Sequence, residues 1–206
     1  LKPSIIAGSP IDFLCWMKII KEDYPNEYPK VIDNLSALIS TAELCSTSRS
    51  QQIMNTFNIF HINTYACVEG FFSLPCICGE KHVLPMYHVE VFDDNLNLIG
   101  NIGKGRFAFT NLFRKSTPFV RYLLDDYVSI YESKCPHGFK KSIQPFGRYE
   151  LSVFLNGKRY GTSHFEEILF RYGLFGDYRL KIFNDSIEII AEKLDENINV
   201  KGIKEN

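Results

Sequence analysis

Cys76 and His82 stand with five residues between them, and Cys135-Pro136-His137-Gly138 brings two more soft or borderline donors into a tight turn. Two thiolates and two imidazoles make a tetrahedral zinc set, and four protein ligands would leave no open position for water, so such a metal would be structural. It would tie the loop after Glu69 to the loop after Asp126. Neither half carries a Cys-x-x-Cys knuckle, and Cys78 and His88 compete for the same positions. Reduced thiols beside surface histidines are therefore the other reading of the same residues.

A second group of polar residues is scattered more widely. Glu69 closes Tyr65-Ala66-Cys67-Val68-Glu69-Gly70, and on its own it is a solvated acid at a strand end. Arg121 and Asp126 flank a loop between expected strands, where an ion pair is the simplest role. Gly147-Arg148-Tyr149-Glu150 precedes a hairpin and reads in isolation as a turn. His61 and His164 have no partner at motif spacing, which makes them a strand histidine and a helix-start histidine. Trp16 and the aromatic run at 165–175 read as packing surface, since the former lacks basic interleaving and the latter has helical spacing.

The elements that must position these groups fit in 206 residues, 45% hydrophobic and 23% charged. A chain of that size buries about 70% of its unfolded surface and needs no staple to form a core. The formal net charge of -1 argues against a basic nucleic-acid binder and an acidic disordered tail alike. The longest apolar run, at 11–20 with Lys18 inside, falls short of the roughly 20 residues of a membrane helix, and no secretory signal is visible. Cys15, Cys45 and Cys67 lie in apolar runs and are expected as buried thiols of a reducing cytoplasm. Leu1 opens the chain close to an apolar strand, Ser4-Ile5-Ile6-Ala7, so a piece of something longer is expected.

Ser9-Pro10-Ile11-Asp12 predicts a capped helix over 11–20. A strand at 37–40, a helix capped near Ser46 and running to Phe57, and a strand at 59–64 follow in the order of parallel crossover units. From Glu69 on, short strands at 87–92, 97–99, 106–110 and 127–131 suggest antiparallel meanders or a small barrel. Beyond Gly147, Asn156-Gly157 marks a hairpin, and Ser163 with Glu166 forms a capping box for a helix that Gly173 ends. Asn184-Asp185 marks a second hairpin, and 192–206 reads as a frayed tail.

Taken in order, these stretches resemble the adenylate-forming superfamily in its phenylacetate–coenzyme A ligase-like branch. Leu1 to Pro10 is similar to that branch's strand leading into a capped helix. Ile39-Ser40-Thr41-Ala42-Glu43 resembles its Gly-Ala-Glu loop, with Thr41 in place of Gly. Tyr65 to Glu69 resembles its Tyr-Gly-x-Thr-Glu, and Pro118-Phe119-Val120-Arg121-Tyr122 with Asp126 resembles its Pro-Leu-Ile-Arg-Tyr with a downstream Asp. Gly147-Arg148, Gly157 and Glu166-Glu167 fall at the family's spacing. The branch's Cys, five residues, His and later Cys-Pro-Cys-Gly resembles the metal set above, with His137 in the second Cys position.

The resemblance implies an α/β and α+β fold: residues 1–147 as the C-terminal part of an AMP-binding large domain, with crossover units and a barrel-like part, and 148–206 as the hinge and beginning of an incomplete mobile lid. It implies a ligase that activates a carboxylic acid with ATP as an acyl adenylate and transfers it to coenzyme A or a carrier thiol, with aryl acids favoured by analogy. Ala42 and Glu43 would line the adenine edge, Tyr65 would stack on the base, and Glu69 would hold Mg²⁺ as the catalytic carboxylate. Asp126 would accept the ribose hydroxyls, Arg148 would bind ribose or phosphate oxygens, and Glu150 would sit at the hinge. ATP or AMP, Mg²⁺, coenzyme A and structural Zn²⁺ by way of Cys76, His82, Cys135 and His137 are the implied cofactors. Nucleotide, carboxylic acid and thiol acceptor are the implied partners; a homodimer is compatible, whereas nucleic acid and membrane are not expected.

Some positions depart from the family pattern. Val68 stands where a hydroxyl residue would help hold phosphate, Leu123 and Leu124 replace a polar pair, Glu150 and Leu151 replace two Asp, and Thr162 replaces a proline. No Gly/Ser/Thr-rich phosphate loop precedes Tyr65, and the family's lysine segment would come after residue 206. By itself the chain is expected to bind ATP poorly, as part of a longer ligase or as a zinc-stabilised binding module that has lost catalysis.

Overall fold

The computed structural model describes residues 3–183 and 186–191. Strand β1 (Ile5–Gly8) leads into helix α1 (Pro10–Asp23). The expected capping box is formed: Ser9 Oγ accepts from the Asp12 amide, and Asp12 Oδ2 accepts from the Ser9 amide, both at 3.3 Å. A short helix α2 (Tyr28–Asn34), not foreseen, has no buried side chain and so left no periodic signal. Strand β2 (Ala37–Ser40), helix α3 (Thr47–Phe57) with Ser46 as its cap, and strand β3 (Phe60–Asn63) follow close to their expected places. β1 and β2 pair in parallel, with Ile5 opposite Ala37, and β3 follows β2 in the three-stranded order.

The next eight strands are β4 (Tyr65–Ala66), β5 (Phe71–Pro75), β6 (Lys81–Val83), β7 (Tyr87–Phe92), β8 (Leu98–Gly100), β9 (Gly103–Asn111), β10 (Tyr122–Glu132) and β11 (Lys141–Arg148). They form one sheet in the order β4-β5-β6-β11-β10-β9-β7-β8, with antiparallel pairings throughout. The meanders are thus one sheet that ends on β4 and β8 rather than a barrel. β11 escaped the sequence because Pro145 and Gly147 interrupt its pattern. Pro145 pairs with Val128 beside a register shift in β10, where a proline is tolerated within a sheet. The interval 121–126 proves not to be a loop, since β10 runs through Asp126.

Strands β12 (Val153–Leu155) and β13 (Lys158–Tyr160) form the expected hairpin. Asn156 and Gly157, at φ 49° and 75°, take the left-handed conformations of its two-residue turn. Helix α4 (Thr162–Arg171) is followed by Gly173 at φ 96°, as a helix stop requires. β14 (Tyr178–Ile182) and β15 (Ile187–Ala191) pair antiparallel. The expected turn Asn184-Asp185 and the tail at 192–206 lie outside the described residues.

Two compact units result: Leu1–His61 with the segment from Phe165, and Ile62–His164. In the first, Leu14, Met17, Leu38, Ile53 and Phe57 pack with Leu169, Phe170 and Leu174, and Trp16 stacks on Phe57 with ring centroids 6.1 Å apart. In the second, Phe72, Phe107 and Phe109 centre a core with Val89, Val128, Ile130 and Ile143. Among the described residues no helix is long and apolar enough to cross a membrane.

Glu166 departs from its expected role. Its buried carboxylate accepts from the Ser46 amide at 2.7 Å and faces the buried Arg49 guanidinium at 3.7 Å, while Arg49 lies 4.8 Å over the Phe170 ring. Glu167 accepts from the Ser48 amide at 3.0 Å. Two carboxylates of α4 therefore cap the positive end of α3, across about 120 residues of chain. Losing one partner of a buried ion pair costs about 3–5 kcal/mol. Glu166→Ala should lower stability by about that much in urea denaturation, and a loss under about 1 kcal/mol would show that Arg49 finds another partner.

Candidate functional site

The antiparallel register sets Asp126 of β10 opposite Arg148 of β11, and their side chains approach to 3.6 Å. Tyr65, from the edge strand β4, donates its hydroxyl to the other oxygen of Asp126 at 2.7 Å. Its ring packs on Phe72 and Phe107, with centroids 5.4 and 5.8 Å away. Burial pushes the Asp126 carboxyl above the usual range, opposed by the Tyr65 hydrogen bond and the Arg148 charge. Tyr65 is raised for the same reason, reinforced by Asp126, so its hydroxyl stays protonated and remains a donor.

Glu69 sits in the turn between β4 and β5, closed by Cys67 and Gly70, each of which accepts the other's amide, at 2.9 and 3.2 Å. Position 70 must be glycine, because a Cβ there would lie 2.8 Å from the Phe72 ring and 3.0 Å from the Tyr87 hydroxyl. Hydrogen bonds from the Cys67 thiol and from Tyr122, whose hydroxyl lies 3.3 Å away, hold Glu69 below the usual carboxylate range, with a smaller pull from Arg148. It therefore presents an ionised oxygen pair at the surface. Val68 stands fully exposed at the tip of this turn. Tyr65, Glu69, Asp126 and Arg148 are thus brought together around β4, the turn that follows it, the first half of β10 and the end of β11.

Arg121 does not pair with Asp126. Its guanidinium forks onto both oxygens of the buried Glu90, at 2.8–3.2 Å, and its amide donates to Thr110 Oγ1 at 2.9 Å. That grip holds Arg121 at φ 49°, a left-handed backbone for a bulky residue. Glu150 lies exposed in the turn after β11. In the first unit, Ala42 takes φ 69° at the end of β2. Partial burial raises the Glu43 carboxyl against the opposing charge of Arg49, with Asp12 and Asp177 adding to the rise.

The metal-type cluster is Cys76, Cys78, His82 and Cys135, whose ligand atoms all lie within 4.8 Å of one another. Tetrahedral geometry tests the fit. Zinc bonds of about 2.3 Å to sulfur and about 2.0 Å to nitrogen imply edges of about 3.8 Å between sulfurs and about 3.5 Å from sulfur to nitrogen. Cys76 and Cys135 sulfurs are 3.7 Å apart, and Cys78 Sγ lies 3.5 Å from His82 Nε2. His137, expected as the fourth ligand, places Nδ1 3.2 Å from both Cys76 and Cys135 sulfurs, hydrogen-bond spacing shorter than a tetrahedral edge. Cys78 takes the fourth place in the cluster, and His137 flanks it. The Cys78 amide pulls the Cys76 thiol below its usual range, while burial and the neighbouring thiols push Cys135 up to about 11, so the pair favours one thiolate at a time. His88 stays on β7, opposite Thr110, outside the cluster.

All six cysteines are free of disulfides, with Cys45 buried and Cys15 and Cys67 half-buried. His61 hydrogen-bonds Ser50 at 2.7 Å, and His164 stacks on Phe146 with centroids 5.1 Å apart. Sequence reasoning missed Glu80, Ser133 and Ser142 around the metal cluster and Tyr122 beside Glu69. Ser142 pairs with His82 only through the β6–β11 register, which no local pattern announces.

No family model matches the chain, and no curated protein matches it. Solved structures do share its fold. A 2-hydroxyisobutyryl-CoA ligase, in the postadenylation state with 2-HIB-AMP, superposes at TM-score 0.73 and 17% identity over 93% of this chain and 44% of its own. The anthranilate CoA ligase AuaEII, with anthranoyl-AMP, gives 0.65 at 12% identity over 87% of this chain and 36% of its own. The amide bond synthetase McbA from Marinactinospora thermotolerans gives 0.60 at 12% identity over 91% of this chain and 41% of its own. The chain spans less than half the length of these neighbours and shares their mixed α/β fold with a large antiparallel sheet.

The pairing with Arg121 holds Glu90 below its ordinary value of 4.5. A carboxylate depressed in the folded state supplies stability that is full above its unfolded pKa and lost as pH falls through its folded one. Glu90→Gln should therefore destabilise the protein at neutral pH and flatten its stability loss below about pH 4 in urea titrations, and parallel curves would refute the pairing. For the metal cluster, purified protein should carry close to one equivalent of zinc. Cys78→Ser should lower that content and His137→Ala should leave it, the opposite outcome restoring His137 as the ligand.

Proposed function

We propose that this chain is part of an AMP-forming acid–thiol ligase of the phenylacetate–coenzyme A ligase-like branch, carrying the C-terminal half of its nucleotide-binding machinery. Such an enzyme activates a carboxylic acid as an acyl adenylate and passes the acyl group to coenzyme A or a carrier thiol. The convergence of Tyr65 from β4, Glu69 from the turn after it, Asp126 from within β10 and Arg148 from the end of β11 carries this reading. A carboxylate has about four acceptor sites; Tyr65 and Arg148 occupy one side of each Asp126 oxygen, and the remaining lone pairs suit two ribose hydroxyls.

Arg148, exposed on its outer side, would turn its guanidinium to phosphate or ribose oxygens. Glu69, ionised at the surface, is a hard oxygen ligand for Mg²⁺, which would supply charge neutralisation to the phosphates. The aromatic ring of Tyr65 is fixed by Phe72 and Phe107 before any base arrives, so stacking would cost little ordering. The same reading gives Ala42 and Glu43 contact with the adenine edge and Glu150 the hinge. Cys76, Cys78, His82 and Cys135 would hold a structural Zn²⁺ that braces the sheet.

One observation favours a second reading. Val68 projects a hydrocarbon from the turn where a hydroxyl would hold phosphate, and a module that only binds a protein or carrier partner tolerates that. Nucleotide titration separates the two. Followed by NMR, AMP should shift resonances around Tyr65, Asp126 and Arg148 with a weak Kd, on the order of millimolar, and Asp126→Ala should weaken it by about tenfold, the loss of roughly 1.4 kcal/mol. AMP leaving those resonances unmoved would favour the binding module.

A further inference from the structure

We propose that Glu80 is the positioning residue of the metal cluster, holding both halves of the ligand set through two serines. This inference rests on metal binding by Cys76, Cys78, His82 and Cys135. Glu80 precedes β6, one residue before Lys81, and its Oε2 accepts from Ser142 Oγ at 2.8 Å and from Ser133 Oγ at 2.5 Å. Ser142 lies on β11 directly opposite His82 and is fully buried, as is His82. Ser133 Oγ in turn accepts from the Cys135 amide at 3.1 Å. One carboxylate thus reaches the histidine ligand by one hydroxyl and a cysteine ligand from a separate loop by the other.

Donor accounting fixes the histidine. An ionised carboxylate only accepts, so both serine hydroxyl hydrogens point at Glu80. Ser142 Oγ, its hydrogen already directed to Glu80, can only accept from His82 Nδ1, 2.9 Å away. Nδ1 therefore carries the proton and Nε2 presents its lone pair, and it is Nε2 that lies 3.5 Å from Cys78 Sγ. The Phe139 ring, stacked on the imidazole at 4.4 Å and 6°, closes the remaining face. A buried histidine oriented in this way, with a carboxylate behind it, is a stronger and better-aimed ligand than a free one.

The test compares wild type with Glu80→Ala, Ser142→Ala and the near-isosteric Glu80→Gln in the full 206-residue chain. Zinc affinity is read by competition with a chromophoric chelator, and geometry by the visible and near-ultraviolet bands of the Co²⁺-substituted protein. Glu80→Ala and Ser142→Ala should each weaken zinc binding by about 10- to 100-fold and shift the cobalt bands. Glu80→Gln keeps one acceptor and should lie between them and wild type. Affinity within twofold of wild type and unchanged cobalt bands in all three variants would overturn the inference. Should an alanine variant not fold, Glu80→Gln decides by the same two readouts. A wild-type protein that takes up neither zinc nor cobalt would instead overturn the metal reading itself.

Discussion

The pairing of β10 with β11 is the constraint on which both sites depend. At one end its register sets Asp126 against Arg148, two residues far apart in sequence that meet because two strands run past each other. Toward the other end β11 passes its free edge to β6, where Ser142 meets His82. A slip of one residue would turn every side chain of β11 to the opposite face. It would break the Asp126–Arg148 pair and the Ser142–His82 hydrogen bond together. The register is held by burial of Val128, Ile130 and Ile143 on one face, while Pro145 sits at the shift where β10 can do without its amide.

That arrangement places polar groups at the margins of an aromatic core. Phe72 touches Tyr65, Tyr87, Phe107 and Phe109 with centroids 4.7–5.4 Å apart, so the strand that carries Tyr65 is anchored by ring packing. The turn carrying Glu69 is wedged against the same rings through Gly70. Rigid packing beneath polar groups lowers the ordering cost of any ligand they take, since groups already in place lose little entropy when it arrives. The first unit follows the same logic, with Glu166 and Glu167 capping α3 and Arg49 lodged against Phe170.

Local patterns were legible wherever the signal is local. Ser9 and Asp12 cap α1, Asn156-Gly157 makes the β12–β13 turn, and Gly173 follows α4, each by chemistry contained in a few neighbouring residues. Strands β7 to β10 were found by alternation. Four strands, β4, β5, β6 and β11, were not, because they are short or broken by Pro and Gly and owe their existence to partners. Partner choice failed in the same way. Arg121 took Glu90 and not Asp126, and Glu166 took Ser46 and Arg49 and not its own helix end.

For the candidate sites, Tyr65, Glu69, Asp126 and Arg148 stood out through the resemblance to a family and not through their types alone, and the cysteine-histidine set was read with His137 where the structure groups Cys78. The sequence by itself determined the inventory of donors and acceptors and the local turns that expose them. Only the tertiary structure decided which of them meet: that Cys78 gathers with Cys76, His82 and Cys135 within 4.8 Å, that Glu80 lies behind His82, and that Arg148 faces Asp126. The reason is that coordination and ion pairing depend on distances of a few ångströms, which are set by strand register and core packing between segments remote in sequence.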